Sequence, residues 1–211
     1  MFTGLVESIG RIQRLARRGN HLLLTIASEK CDFDLQEGDS ISCDGVCLTV
    51  VSHSGAGFAV EASQETTMRT TIGTWQVERR LHLERALRAN SRLGGHFVSG
   101  HIDCVGIVGH LRSIGESQEL LVRYDDQYDS LVVPKGSVAV SGVSLTVNDV
   151  GAGWLSVNLI PFTLNATTLA SLVAGDRVNM EFDILGKYVA KQHRHSARAG
   201  LTMEKLLESG W

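Results

Sequence analysis

The sequence predicts an all-β protein made of two tandem homologous domains and followed by a C-terminal α-helix. The segment GVCLTV at residues 45–50 recurs as GVSLTV at residues 142–147, a shift of 97 residues (142 minus 45). Short alternating apolar segments, separated by Gly, Ser, Asn and Asp, fill both halves in the pattern of a β-barrel or β-sandwich. The pattern changes to helical spacing only near the C-terminus.

The composition is that of an ordinary globular protein. The 211 residues are 43% hydrophobic, and two halves of roughly 95 residues are each large enough to bury a modest core. A formal net charge of -3 without a dense Lys/Arg run argues against a nucleic-acid partner. The absence of a bilayer-length apolar run and of a signal-peptide start predicts no membrane association and a cytoplasmic location. The four cysteines form no CxxC pair, so we predict reduced thiols and no metal site.

In chain order, the clearest strands of the first half are predicted at residues 21–27, 40–43, 46–52, 58–62 and 80–84. A helical turn is expected only after Ser63. Paired glycines at Gly94 and Gly95 give backbone freedom between the copies and place the boundary there. The predicted units are therefore a first domain over residues 1–95, a second over 96–190, and a linker with a C-terminal helix over 191–211.

The C-terminal segment has no counterpart in the first half. Leu201, Lys205 and Glu208 have helical spacing, and Thr202 is a candidate N-cap. A lone short helix is marginal in water, so it must pack either on its own barrel or on another subunit. The His193–His195 cluster is interpreted as part of a polar linker rather than as a metal or phosphate site.

The repeated strand has a polar face. Successive side chains of a strand point in opposite directions, so Cys47 and Thr49 share one face, as do Ser144 and Thr146 in the second copy. The intervening Leu and Val residues must fill the interior, and the polar pairs are therefore predicted to face outward. Outward polar residues are usually only solvated surface. Their recurrence in both copies beside the same Gly-Val pair favours a binding role.

Four motifs carry a specific resemblance. They are residues 1–7 (MFTGLVE), 45–50 (GVCLTV), 95–103 (GHFVSGHID) and 159–164 (LIPFTL). Together they resemble the riboflavin synthase family, alpha-chain type, of the lumazine-binding-domain proteins, over residues 1 to about 190. The resemblance implies two six-stranded antiparallel Greek-key barrels and a homotrimer whose active sites lie between neighbouring subunits. It also implies dismutation of two molecules of 6,7-dimethyl-8-ribityllumazine to riboflavin and a pyrimidinedione, without metal or organic cofactor.

The same resemblance implies two substrate pockets, each borrowing the opening segment of the other half. Lys135 and Ser40 are weaker candidates, for contacts to the ring or the ribityl hydroxyls. The first pocket is expected to use Cys47, Leu48, Thr49, Glu61, Ala62, Ser63, Gln64, Glu65, Thr66, Gly100, His101 and Ile102. The second is expected to use Ser144, Leu145, Thr146, Asn158, Leu159, Ile160, Pro161, Phe162, Gly4, Leu5 and Val6.

The reaction requires a proton to leave the 7-methyl group of one lumazine and a nucleophile, a side chain or water, to add at C7 of the other. Ser144 is the candidate that delivers or positions the nucleophile, with Thr146 assisting by hydrogen bonding. His101 is the candidate for proton transfer, although it could instead be a structural residue of a Gly-rich turn. Cys47 could be reactive or could only shape its pocket. Histidines 53, 96 and 110 are interpreted as structural.

Several questions remain open. Glu65 either binds the pyrimidine edge or caps the turn after Ser63, and Phe162 at its repeat position implies that the two pockets differ in charge. Ser141 stands where the first copy has Asp44, which weakens any proposal of an acid beside Ser144. The residues do not decide which barrel holds the donor. A non-catalytic lumazine-binding protein of the same fold, or a β-protein whose repeat serves only assembly, are the competing functions.

Overall fold

The computed structural model describes residues 1–28, 34–55 and 57–198. Within them, twelve strands form two closed six-stranded barrels, all of whose paired strands are antiparallel, which confirms the predicted fold class. The strands of the first barrel are β1 Ser8–Arg18, β2 His21–Ser28, β3 Ser40–Cys43, β4 Val46–Ser54, β5 Gly57–Ala62 and β6 Arg80–Arg85. Those of the second are β7 Cys104–Ile114, β8 Ser117–Arg123, β9 Ser137–Val140, β10 Val143–Gly151, β11 Trp154–Leu159 and β12 Arg177–Phe182.

The two barrels have the same topology. The first has the order β1-β2-β5-β4-β3-β6, and the second, followed around the closed barrel from β7, has the order β7-β8-β11-β10-β9-β12. A short helix follows the fifth strand of each barrel: α1 Gln64–Arg69 and α2 Pro161–Ala166. Helix α1 confirms the helical turn that the sequence predicts after Ser63. The matching topology is the structural form of the sequence repeat.

Alternation within the strands places each core inside its barrel. Along β4, Val46, Leu48 and Val50 are buried, whereas Thr49 and Val51 are exposed. Strand β10 repeats this pattern. Closure of the barrel pairs the backbone hydrogen-bonding groups of all six strands. It also removes the inward-facing apolar side chains from water. The polar face of the repeated strand is left outside, as predicted.

Equivalent residues of the two halves meet each other. The amide of Phe2 donates to the carbonyl of Val98 at 2.7 Å, and the amide of Val98 donates back at 3.1 Å. These residues correspond in the repeat, so an approximate twofold axis passes through the pair. The turns at Gly45 and Gly142 also meet, and an added Cβ on Gly45 would lie 2.7 Å from the backbone nitrogen of Gly142.

Two buried polar side chains form hydrogen bonds across the same interface. His82 and its repeat counterpart Asn179 are 2% and 0% exposed. The His82 Nε2 accepts from the amide of Thr168 at 2.9 Å, and its Nδ1 lies 2.7 Å from the carbonyl oxygen of Ser141, to which it donates. Asn179 donates from Nδ2 to the carbonyl of Asp44 at 2.9 Å. Each barrel therefore satisfies buried backbone groups of the other.

A helix that the sequence does not indicate follows the second barrel directly. Helix α3 runs over Ile184–Arg198, so residues 191–198, expected as linker, continue a helix that starts at the end of the second barrel. Lys187 Nζ lies 2.7 Å from Asp103 Oδ2 and ties α3 to the segment before β7. The helix predicted around residues 201–208 lies outside the described residues. No helix in the described part of the chain is long and apolar enough to cross a membrane.

Candidate functional site

Two pseudo-equivalent sites lie on the outer faces of β4 and β10. We call them the Cys47 site and the Ser144 site. Cys47 and Ser144 are half-buried, and Thr49 and Thr146, two residues further along, are exposed. Leu48 and Leu145, expected to touch substrate, point instead into the cores, because neighbouring strand positions face opposite ways.

Each site is covered by the opening segment of the other half. The amide of Ser144 donates to the carbonyl of Gly4 at 2.8 Å, and the amide of Cys47 donates to that of Gly100 at 2.8 Å. The approach is so close that a Cβ on Gly4 would lie 2.6 Å from Ser144 Cβ, and one on Gly100 would lie 2.5 Å from Cys47 Cβ. Glycine is required at both positions by this contact and by positive φ angles of 77° and 82°.

The Ser144 site contains an imidazole that sequence reasoning missed. Nδ1 of His96 lies 2.7 Å from Ser144 Oγ. His96, interpreted above as structural, is buried. The amide of His96 donates to the carbonyl of Thr3 at 3.2 Å, so the opening segment of the first half also holds this ring. A hydroxyl and an imidazole at this distance form the nucleophile–base arrangement that serine chemistry needs.

Burial keeps this imidazole neutral. Desolvation lowers the pKa of His96 from its ordinary value of 6.5, while the negative charge of Asp183 acts in the opposite direction. At neutral pH the ring therefore has one nitrogen free to accept a proton. Its Nε2 is buried without a hydrogen-bond partner among the described residues. In the tautomer that carries hydrogen on Nε2, Nδ1 accepts the hydroxyl hydrogen of Ser144.

Among the described residues, no imidazole forms a hydrogen bond with the side chain of Cys47, in contrast to the His96–Ser144 contact. A shift of 96 residues maps Phe2 onto Val98, and it maps His96 to a position before Met1. This explains why no repeat comparison draws attention to His96. The two sites therefore share a backbone plan and differ in the imidazole beside Ser144.

His101 lies on the segment that covers Cys47. Its side chain is exposed, and its backbone amide donates to Ser99 Oγ at 3.2 Å. Within this chain the imidazole beside Ser144 is therefore that of His96, and His101 belongs to the Cys47 site.

The remaining residues expected in the first pocket lie at the end of β5 and in α1. Glu61 is directly across from Thr49 in the strand register. Ser63 caps α1, its Oγ accepting from the amide of Thr66 at 3.1 Å. Glu65 lies 3.2 Å from Arg69 on the helix surface and is not the capping side chain. Ser63, and not Glu65, is therefore the residue that caps this turn.

The second pocket is more apolar at the corresponding place. Ile160 and Phe162 are 51% and 77% exposed, and α2 begins at Pro161 without a side-chain cap. Lys135 is exposed, in a left-handed conformation with φ 67°, and its amide donates to the carbonyl of Val147 at 2.8 Å. The exposed aromatic and aliphatic side chains leave an apolar surface where the first copy carries Ser63 and Glu65.

The remaining features of the site region are a cavity, two buried thiols and the question of metal binding. A cavity of about 420 Å³ between the β1–β2 hairpin and α1 is lined by Gln64, but its other lining residues are not in the predicted pockets. The thiols of Cys43 and Cys104 are protonated at neutral pH, because burial raises the pKa of both, that of Cys104 to about 12. The described residues contain no cluster of His, Cys, Asp and Glu that could hold a metal ion.

Comparison with protein families gives two matches along this chain. The model of the lumazine binding domain matches residues 3–86 and again residues 99–183. Each match covers one barrel, and together they include both strands that carry the sites.

Curated relatives match over nearly the whole chain. Riboflavin synthase of Mycobacterium tuberculosis is 40% identical over 92% of this chain and 98% of its own. Riboflavin synthase of Actinobacillus pleuropneumoniae is 35% identical, and that of Bacillus subtilis 34% identical, each over the full length of both chains.

Solved structures share the fold. The protein LumP in complex with riboflavin superposes with a TM-score of 0.78 at 23% identity, covering 86% of this chain and 99% of that one. LumP in complex with 6,7-dimethyl-8-(1'-D-ribityl) lumazine gives a TM-score of 0.77 at 21% identity and the same coverage.

Proposed function

The chain belongs to the riboflavin synthase family and contains two lumazine-binding domains, and from this we propose that it converts two molecules of 6,7-dimethyl-8-ribityllumazine into riboflavin and 5-amino-6-ribitylamino-2,4-pyrimidinedione. Four carbons move from one molecule to the other. The reaction is a dismutation, so it requires no external oxidant or reductant. The enzyme is a transferase.

The observation that carries the mechanism is the pair of sites. A reaction between two copies of one compound needs two places to hold that compound, and this chain has two sites on one backbone plan. Holding both reactants in a fixed geometry lowers the barrier by up to about 7–11 kcal/mol relative to a free encounter. The sites differ by a Ser144–His96 pair, which suits two molecules that undergo different chemistry.

We assign roles to the residues of the Ser144 site. The neutral imidazole of His96 accepts the proton of Ser144, or of a water positioned by Ser144, as the oxygen adds at C7 of one lumazine. Thr146, exposed on the same face, is placed to hydrogen-bond the bound ring. In the Cys47 site, His101 is the group available to take the proton from the 7-methyl group of the other lumazine. Positioned acid–base groups of this kind contribute typically about 10²–10⁴-fold in rate.

We further propose that the active protein is a homotrimer in the cytoplasm. Leu185, Tyr188 and Val189 are exposed at helical spacing on α3, which gives this helix an uncovered apolar stripe. Ile160 and Phe162 expose more apolar surface beside the Ser144 site. Exposed apolar patches of this kind mark protein contacts. An assembly in which the Cys47 site of one subunit faces the Ser144 site of a neighbour uses both surfaces.

The direct test is incubation with 6,7-dimethyl-8-ribityllumazine, with no added metal or nicotinamide. We expect one riboflavin and one pyrimidinedione for every two lumazines consumed, followed by riboflavin absorbance and by chromatography. The competing function is a lumazine-binding protein without catalysis. Tight binding of the lumazine with no riboflavin formed would establish that alternative and overturn the proposal.

A further inference from the structure

Two buried glutamates occupy equivalent places in the barrels. Glu84 in β6 is 5% exposed and Glu181 in β12 is 2% exposed. Neither has a cationic partner among the ion pairs of the described residues. A buried carboxylate is costly unless hydrogen bonds compensate it. The partners of these two carboxylates therefore indicate why they are there.

Glu84 holds the opening segment of the chain through three hydrogen bonds. Its Oε1 accepts from the amide of Thr3 at 2.6 Å and from Thr3 Oγ1 at 2.7 Å. Its Oε2 accepts from the amide of Gly4 at 3.0 Å. All three donors belong to residues that touch the Ser144 site, which lies in the other barrel.

Glu181 repeats this arrangement in the opposite direction. Its Oε1 accepts from the amide and the Oγ of Ser99, both at 2.6 Å, and its Oε2 accepts from the amide of Gly100 at 2.9 Å. The carbonyl of Gly100 in turn receives the amide of Cys47. The carboxylate of the second barrel thus reaches the site of the first.

From these contacts we infer that Glu84 and Glu181 are positioning residues, each for the site of the opposite barrel. Glu84 acts on the Ser144 site through two connections: Gly4, whose carbonyl receives the Ser144 amide, and Thr3, whose carbonyl receives the His96 amide. Glu181 acts on the Cys47 site through Gly100, whose carbonyl receives the Cys47 amide, and through Ser99, whose Oγ accepts from the amide of His101. The assignment of the two sites as substrate sites rests on the proposed function; the crossed connection rests on the hydrogen bonds.

Replacement by glutamine tests the connection with little change of shape. The glutamine oxygen can keep the two bonds from Thr3, but its amide then directs N–H groups at the amide of Gly4, so that two donors face each other. The reverse orientation directs the N–H groups at Thr3. Either way the segment loses contacts that only a carboxylate can make.

The readout is the reactivity of a thiol placed at each site. Cys47 reports on its own site through its rate of alkylation by N-ethylmaleimide, located by peptide mass spectrometry. In the Cys47→Ser, Ser144→Cys protein, the new thiol reports on the Ser144 site. The rates are measured without ligand and with riboflavin, and circular dichroism confirms that each variant is folded.

We expect a crossed pattern. Glu181→Gln changes the alkylation rate of Cys47 and weakens its protection by riboflavin at least about tenfold, whereas Glu84→Gln leaves both within about twofold. At the Ser144→Cys thiol the expectation is reversed. Glu84→Gln changes the alkylation rate and weakens the protection by riboflavin, whereas Glu181→Gln leaves both within about twofold. Thr3→Val and Ser99→Ala, which each remove one hydrogen bond to Oε1, give the same pattern more weakly and replace the glutamine variants if those do not fold.

Equal effects of each glutamine on both sites, or an effect confined to the site of its own barrel, would overturn the inference. Failure of the proposed function has a different signature. In that case the parent protein forms no riboflavin from 6,7-dimethyl-8-ribityllumazine, while the crossed pattern in the ligand-free alkylation rates is tested independently.

Discussion

At the scale of single residues, one backbone plan carries two sites with different side chains. Cys47 and Ser144 occupy equivalent positions and receive equivalent glycine carbonyls. The difference is the imidazole of His96, supplied by the segment that joins the barrels. A serine is a weak nucleophile at its ordinary pKa and gains from an adjacent base. We therefore place the step that needs base-assisted addition in the Ser144 site.

Removing the Ser144 hydroxyl should cost much more rate than altering Cys47. We expect Ser144→Ala to lower kcat by about 10²-fold or more, the lower range for loss of an acid–base partnership. Cys47→Ser should lower it by less than about tenfold, because serine serves at this position in the other copy. Steady-state riboflavin formation measures both variants, with riboflavin binding as the control for folding. Comparable losses would mean that the roles of the two sites are wrongly assigned.

The rate should also depend on the protonation of His96. Burial lowers the pKa of this imidazole below 6.5, so its neutral, proton-accepting form persists at neutral pH. As the pH falls through the lowered pKa, the ring becomes charged and kcat should decrease. The same shift makes the fold less stable on acidification, since the unfolded chain binds this proton first.

The measurement is kcat between pH 5 and 8, for the parent protein and for His96→Gln. The parent should show an acid limb with an apparent pKa below that of free histidine. His96→Gln should lose about 10²–10⁴-fold in kcat and lose that limb. His53→Gln, an exposed histidine away from both sites, is the matched control. An unchanged acid limb in His96→Gln would remove this residue from the mechanism.

These residues also show the limits of what the sequence could predict. The outward polar face of the repeated strand follows from alternation, whereas the contribution of each opening segment to the other half is implied by the family resemblance and agrees with the repeat equivalence of Gly4 and Gly100. His96 could not be found in this way, because its contact with Ser144 spans 48 residues. Glu84 and Glu181 could be recognised as repeat equivalents, but their crossed contacts depend on the three-dimensional arrangement of the barrels.

At the scale of elements, short turns set the relation between the barrels. The strands could be located from alternation because a half-buried strand has a period of two. The start of α3 could not, because a helix that continues directly from a barrel needs no breaker or linker before it. The contact of the turns at Gly45 and Gly142 was equally hidden, since a glycine in a turn is ordinary and only its neighbour across the interface makes it special.

Alanine at these turn glycines should separate backbone strain from interface contact. Gly38, Gly45 and Gly142 all have positive φ angles, of 93°, 84° and 80°. A Cβ at Gly38 meets nothing within 4 Å, whereas at Gly45 and Gly142 it would lie 2.7 Å and 2.6 Å from the opposite backbone. Gly38→Ala should therefore cost only about 1–2 kcal/mol of left-handed strain.

Gly45→Ala and Gly142→Ala should each lower the free energy of unfolding by about 2–5 kcal/mol, because overpacking adds about 1–3 kcal/mol to the strain. Urea unfolding of the three variants measures the difference. If Gly38→Ala is as destabilising as the other two, the close approach of the barrels contributes nothing and strain alone explains the requirement for glycine.

At the scale of the whole molecule, duplication and assembly solve the same problem. Two reacting molecules must face each other, and a chain with two outward-facing sites can bring them together by pairing unlike sites of neighbouring subunits. A ring of three such contacts is a closed, head-to-tail assembly. In the proposed trimer the two sites of each subunit face different neighbours, and the apolar stripe of α3 is a surface available to hold the ring together.

Introducing charged residues into the apolar stripe of α3 should lower kcat while leaving riboflavin binding intact. We expect Leu185→Glu combined with Val189→Glu to reduce the particle mass seen by light scattering, because each buried apolar contact becomes a desolvated charge. Riboflavin should still bind, since each site is built within one chain, but kcat should fall at least about tenfold, because the positioned encounter is lost. Ile114→Glu is the matched control, since this exposed apolar residue at the end of β7 lies outside α3. A parent protein that is monomeric and fully active would contradict the trimer, and a doubly charged variant that disassembles without losing rate would show that both lumazines react within a single chain.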